Sequence, residues 1–214
     1  MPIYNDALSQ YITSLFAVHD AALQRAWEDS PKYGLPAISI RPEEGRFLQL
    51  LVRVCGAHKA LELGTLGGYS GIWIARGLPP GGKLVTLEKE TKHADIARAH
   101  FAAAGLTDRV EVRVGDAHQL LAELHTEGPF DFVFIDADKP GYLAYFDWAL
   151  ENTRLGGVIA AHNAFRGGSV AGTLQDDAHS ETMRAFNRRV AGEARLISTV
   201  YPAGDGTVVS VKIA

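Results

Sequence analysis

The sequence predicts an α/β fold, a Rossmann-like and mostly parallel sheet with helices on both faces, and three observations carry that prediction. From Ala60 onward, short apolar runs alternate with stretches of helical spacing, the pattern of a parallel sheet covered on both sides. The run Lys59-Ala-Leu-Glu-Leu-Gly-Thr-Leu-Gly-Gly-Tyr-Ser-Gly71 reads as a strand, a tight loop and a helix start. The chain's 214 residues, 47% of them hydrophobic, suit a single domain with a sizeable core. The domain is taken as residues 1–214, with 1–45 forming an N-terminal helical cap.

Taken in order, Asn5 to Glu28 carry apolar residues at Leu8, Tyr11, Ile12, Leu15, Phe16, Ala22, Leu23 and Trp27, which predicts one helix stopped by Ser30-Pro31. Pro42-Glu43-Glu44 opens the next helix, with proline in its first turn and acids at the positive end of the dipole. Strands are expected near 60–64, 84–88, 109–114, 131–136 and 157–161. Helices are expected near 69–77, 91–104, 117–125 and 141–152. A Gly/Ser-rich loop from Ala164 to Thr173 and a helix near 180–191 follow. Two strands near 195–201 and 207–213, joined by the turn Tyr201-Pro-Ala-Gly-Asp-Gly206, close the chain as an antiparallel pair.

Bulk properties narrow the function. A net charge of −4 supplies no basic field for nucleic acid. No apolar stretch approaches the roughly 20 residues of a membrane helix, and no secretory signal is visible, so a cytoplasmic protein is expected. Cys55, the single cysteine, excludes an internal disulfide and a multi-cysteine metal site, and it falls beside a core-like apolar run.

In open α/β sheets ligands lie beyond the carboxyl ends of the strands. Here those ends carry Glu62-Leu-Gly64, Glu88, Gly115-Asp116-Ala117, Asp136-Ala-Asp138-Lys139 and His162-Asn163. Gly64, Gly67, Gly68 and Gly71 would let backbone approach a ligand, and the helix starting near Tyr69 offers free N–H groups. The spacing is not Gly-x-Gly-x-x-Gly, and Glu62 inside the strand suits a cation better than a pyrophosphate. S-adenosylmethionine (SAM), with its sulfonium, ammonium and single carboxylate, matches such a site. The competing reading is a tight turn with no ligand. Glu88 stands where an acid accepts hydrogen bonds from ribose, or is a solvated acid in a charged cluster. Asp116 reads as a helix N-cap that also touches adenine. Asp136 continues a buried run and needs an ammonium or a metal ion beside it. His162 and Asn163 can face one site only if the backbone bends after Ala161, and His162 is either a packed histidine or a metal ligand.

These motifs, in this order, resemble the cation-dependent class I O-methyltransferases, which include catechol and caffeoyl-CoA O-methyltransferases. The likeness runs from Pro42-Glu-Glu-Gly-Arg-Phe47 through Leu-Glu-Leu-Gly-x4-Tyr-Ser and Ile-Asp-Ala-Asp-Lys139 to Gly-Asp-Gly206. It implies a seven-stranded sheet whose last strand is antiparallel, and a homodimer, for which the apolar N-terminal helices offer a surface. It implies that Glu62, Gly64, Thr65 and Ser70 hold the methionine part of SAM, Glu88 the ribose and Ala117 the adenine, with Asp138 beside the cofactor. A divalent metal is implied on Asp136, His162 and Asn163, and Lys139 as general base. The acceptor implied is a small, catechol-like aromatic hydroxyl compound. One position departs: His162 stands where the family has aspartate, so Mg²⁺ gives way to Mn²⁺, Fe²⁺, Co²⁺, Ni²⁺ or Zn²⁺, or the metal is lost. Three alternatives stay open: a metal-independent methyltransferase with Lys139 or His162 as base, a nicotinamide-dependent oxidoreductase, and a non-catalytic cofactor-binding protein.

Overall fold

A computed structural model describes residues 4–172, 175 and 177–214; Thr173, the end of the loop expected from Ala164, lies outside them. Seven strands form one sheet: β1 (Lys59–Leu63), β2 (Lys83–Glu88), β3 (Val110–Val114), β4 (Phe130–Ile135), β5 (Thr153–Ala161), β6 (Leu196–Tyr201) and β7 (Thr207–Lys212). Their order is β3-β2-β1-β4-β5-β7-β6. Pairing is parallel from β3 to β5, and β7 runs antiparallel to both β5 and β6, as the sequence implied. The helices are α1 (Asp6–Phe16), α2 (Ala21–Lys32), α3 (Pro42–Val54), α4 (Tyr69–Gly77), α5 (Thr91–Ala103), α6 (Ala117–Leu124), α7 (Tyr142–Asn152) and α8 (Ser180–Ala191).

Each face of the sheet buries its own apolar cluster. Ala60, Leu84, Phe132 and Phe134 point to the side covered by α3, α4 and α5, where Trp73 and Phe101 are buried. Their neighbours Leu61, Val85, Val133 and Ile135 point to the side covered by α6, α7 and α8, with Tyr142, Phe146 and Phe186. The period of two along β1 and β4 therefore sorts consecutive residues into opposite cores.

Two element boundaries differ from the sequence reading. The expected N-terminal helix is two helices, because Asn5 and Asp20 each cap a separate one, accepting from the backbone N–H of Leu8 and Leu23. Pro31 does not stop α2; it sits in the last turn, where only a few intrahelical bonds remain to be lost, and the helix ends at Lys32. β5 begins at Thr153 rather than 157. Gly156-Gly157 is an irregularity inside the strand, where the register against β4 shifts between Phe130 and Phe132. A side chain at Gly157 would come within 2.9 Å of the Asp131 carbonyl.

Strand order reverses between β1 and β4, which opens a crevice at their carboxyl ends. Gly64 and Asp136 meet there: the Asp136 N–H donates to the Leu63 carbonyl at 2.9 Å, and a Cβ on Gly64 would lie 2.1 Å from the Asp136 carbonyl oxygen.

Candidate active site

The loop after β1 turns tightly, with positive φ at Gly64 (94°), Leu66 (47°) and Gly68 (80°), and delivers the chain to the start of α4. Gly64 and Gly67 of this loop line a cavity, while Gly71 does not. Gly67 and Gly71 are needed for protein packing: a Cβ there would meet Ser30 Oγ at 2.1 Å and the Phe101 ring at 2.8 Å. The turn lines a cavity of about 640 Å³ together with Ile38, Ser39 and Ile40 before α3, Asp136 to Pro140 after β4, and His162, Asn163, Arg166 and His179. A smaller cavity of about 230 Å³, lined by Gly115, Asp116, Ala117, His118 and Tyr145, adjoins it and shares Gly64, Glu88, Ala137 and Asp138.

At the β1–β3 end the acids have hydroxyl and backbone partners. Glu62 is fully buried; its two oxygens accept from Ser70 Oγ at 2.6 Å and Thr86 Oγ1 at 2.7 Å. Burial, reinforced by the nearby carboxylates of Asp136 and Glu88, pushes its pKa up to about 7 against the hydrogen bonds from Ser70 and Thr86. Glu62 does not itself line the cavity. Ser70 and Thr65, which do, stand in front of it, Thr65 through a 2.6 Å contact with Thr86. Glu88 is buried rather than solvated: it accepts from the N–H of Leu66 at 2.7 Å and of Glu90 at 2.9 Å, and His93 Nδ1 lies 3.4 Å away. Asp116 caps α6, accepting from the N–H of His118 at 3.0 Å, as expected. Asp138 accepts from Tyr145 Oη at 2.7 Å and lines both cavities.

At the β4–β5 end Asp136 and Glu44 have a cationic or basic side chain beside them. The predicted bend after Ala161 is present: Asn163 adopts φ 63°, and both His162 and Asn163 line the cavity. His162 is buried, with Nδ1 3.4 Å from Asp136 and Nε2 3.0 Å from Glu44. The Glu44 contact is close but out of line for a hydrogen bond. The two carboxylates outweigh burial and raise the His162 pKa to about 10. Lys139 Nζ lies 3.5 Å from Asp136 and donates to the Ala137 carbonyl at 2.9 Å and to Tyr142 Oη at 2.8 Å. Burial lowers its pKa, partly offset by Asp136. For Asp136 the neighbouring His162 and Lys139 overcome burial and hold the pKa below the usual carboxylate range.

The donor set was tested against a divalent metal. Both ring nitrogens of His162 face carboxylate oxygens on either side of the imidazole, so no lone pair converges with Asp136 on a common point. The side-chain amide of Asn163 donates to Asp205 at 2.9 Å. Among the described residues no group of three or more His, Cys, Asp or Glu could hold a metal ion. As they stand, Asp136, His162 and Asn163 do not fit one.

Glu44 and Asp205 escaped the sequence reading. Glu44 was absorbed as an acid at a helix start, a role it also fills by accepting from the Arg41 N–H at 2.9 Å. Asp205 was visible only as a turn residue, yet it accepts from Asn163 and from the Gly167 N–H at 2.6 Å.

Comparison with known proteins decides the family. Residues 16–213 match the family model described as O-methyltransferase. The chain belongs to the O-methyltransferase family. Catechol O-methyltransferases from Niastella koreensis and Mycobacterium tuberculosis are 43% and 42% identical to this O-methyltransferase over 197 residues, 91% of this chain and 89% of each relative. An O-methyltransferase from Bacillus cereus, solved in complex with SAH, superposes with a TM-score of 0.89 at 43% identity, covering 96% of this chain and 97% of its own. One from Streptomyces achromogenes, solved in complex with SAM, superposes at 0.87 with 38% identity over 97% and 96% of the two chains. Family membership removes the nicotinamide oxidoreductase from the alternatives.

Proposed function

We propose that this O-methyltransferase moves a methyl group from SAM to one hydroxyl of a small, catechol-like aromatic acceptor. The observation that carries the proposal is the pairing of a buried, cation-free carboxylate at one end of the crevice with a buried lysine at the other, in a chain 43% identical to a catechol O-methyltransferase. The donor site fits SAM on the chain's own chemistry: Glu62 is a buried acid with no ammonium or guanidinium among its partners, and the two joined cavities give room for an extended ligand.

When bound, SAM supplies an electrophilic methyl group on a sulfonium. Gly64, Thr65 and Ser70, backed by Glu62, hold its methionine part in the larger cavity. Glu88 accepts from the ribose hydroxyls, and Asp116, Ala117 and Asp138 line the adenine end. The acceptor lies between Ile38–Ile40 and Arg166, its hydroxyl turned to Lys139. A phenol with an ordinary pKa of about 10 is mostly protonated at neutral pH, so a base is required, and Lys139 with its depressed pKa takes the proton. His162 is a poor base there, because a group whose pKa is about 10 keeps its proton at neutral pH. Orientation of the two reacting centres supplies the remainder of the rate gain.

The test is direct: incubation with SAM and a panel of dihydroxy aromatics yields a methylated product and SAH, by mass spectrometry. Absence of product with every acceptor, in protein that still binds SAH, leaves the non-catalytic alternative. The proposal extends to a cytoplasmic homodimer. No helix among the described residues is long and apolar enough to cross a membrane, and Tyr11, Leu15 and Phe16 of α1 with Leu50 and Val54 of α3 are exposed apolar residues. Light scattering on Leu15→Glu should then read a monomer.

A further inference from the structure

We propose that His162 is a built-in cation, standing at the end of β5 in place of a divalent ion, so that the enzyme binds and ionises its acceptor without metal; this rests on the methyl-transfer reading above. The geometry carries it. The ring is wedged between Asp136 and Glu44, at 3.4 and 3.0 Å, and only 7% exposed. A neutral imidazole offers one N–H and one lone pair, and a lone pair facing a carboxylate oxygen is repelled; with a carboxylate at ion-pair distance from each nitrogen the ring is favoured with both protons, although Nε2 is out of line to hydrogen-bond Glu44. Neither carboxylate can readily swing away. Glu44 is held by the Arg41 N–H and pressed by the β6–β7 turn, where a Cβ on Gly204 would lie 2.3 Å from its Oε2. Asp136 continues β4 and also faces Lys139.

Charge balance points the same way. With Lys139 in the neutral form that the reaction requires, His162 is the group of the four that offsets the carboxylates of Glu44 and Asp136. An aspartate at position 162 would set three carboxylates beside that amine with no cation among them, a deficit that a divalent cation reduces. The elevated His162 pKa agrees with this but is not needed for it. In the reaction the acceptor O–H bond breaks and its proton passes to the neutral amine of Lys139. The resulting phenolate is stabilised by the positive charge of His162, and its oxygen forms the new bond to the methyl carbon as the S–CH₃ bond breaks, leaving neutral SAH. Because its partners are fixed carboxylates, His162 is a positioning and charge-balancing residue rather than the proton acceptor.

The test uses calorimetry and activity on the full chain. SAH is titrated first, as a check on the methyl-transfer reading that is independent of the metal. Mg²⁺ and Mn²⁺ are then titrated into the SAH-bound wild type, and turnover is measured before and after chelator dialysis. The expected result is no saturable metal heat and a rate changed by less than about twofold. His162→Asp should gain a stoichiometric Mn²⁺ site, lose at least about tenfold of its rate in chelator and recover on adding Mn²⁺, the scale of a lost charge-stabilising contact. One saturable equivalent of metal on the wild type, abolished by Asp136→Asn, overturns the proposal, as does a folded His162→Asp that binds no metal. Should that variant not fold, the wild-type titration and chelator arms decide alone.

Discussion

The two ends of the crevice treat their acids differently. At the carboxyl ends of β1 to β3, Glu62 and Glu88 are buried against hydroxyls and backbone N–H groups, with only the imidazole of His93 near Glu88. At the ends of β4 and β5, Asp136 and Glu44 are flanked by Lys139 and His162. A buried acid without a cation is costly and invites a cationic ligand, whereas a buried acid already paired is a finished charge network. The donor end is therefore built to be completed by its ligand, and the acceptor end is complete within the chain.

That contrast can be broken most visibly at Lys139. Lys139→Met should lower kcat by about two to four orders of magnitude with the acceptor KM changed only a few-fold, because the amine acts on the proton and not on binding; steady-state kinetics check it. At the donor end the loss should appear in binding. Glu88→Gln removes a charged acceptor, and SAH affinity measured by calorimetry should fall about ten- to a hundredfold, the equivalent of one charge-assisted hydrogen bond.

A third prediction sharpens the contrast through stability. The folded-state pKa of Glu62 is raised to about 7 from the ordinary 4.5, so the folded protein binds the extra proton. Unfolding free energy should decline as pH rises between those two values and then level off. Glu62→Gln should make the ligand-free protein more stable at pH 8, by roughly 1–3 kcal/mol, while weakening SAH. Urea unfolding at pH 5 and pH 8 tests both signs. The acceptor end has the same sign in a higher window: the His162 pKa is raised above the ordinary 6.5, so the stability it contributes is complete below that pH and is lost as pH rises through about 10. The smallest effect is expected at Asp177, whose exposed pair with Arg166 spans 2.6 Å. Asp177→Asn should move the acceptor KM by roughly two- to threefold or less, with kcat unaltered.

Much of this was legible in the residues. Period-two apolar runs and glycine-rich turns gave the order of elements, and the polar residues ending each run gave Glu88, Asp116, Asp136, Lys139 and His162, because strand ends in a parallel sheet converge by topology alone. The break between α1 and α2 was harder to see, since one helical apolar spacing runs across both and only the Asp20 cap marks the second start. Gly71 looked like a ligand glycine, yet a side chain there would run into Phe101, and Gly67, which does line the cavity, is also packed against Ser30, partners distant in sequence. Glu44 shows the same limit at the site itself. As a helix-start acid it needed no further explanation, and only the fold brings it to 3.0 Å from His162.

The central claim is methyl transfer from SAM to an aromatic hydroxyl. The most direct measurement supplies SAM carrying a deuterated methyl group with a catechol and follows the label by mass spectrometry. The account predicts the intact labelled methyl on one ring oxygen, with SAH formed in equal amount. Folded enzyme that binds SAH but leaves every dihydroxy aromatic unlabelled would contradict it.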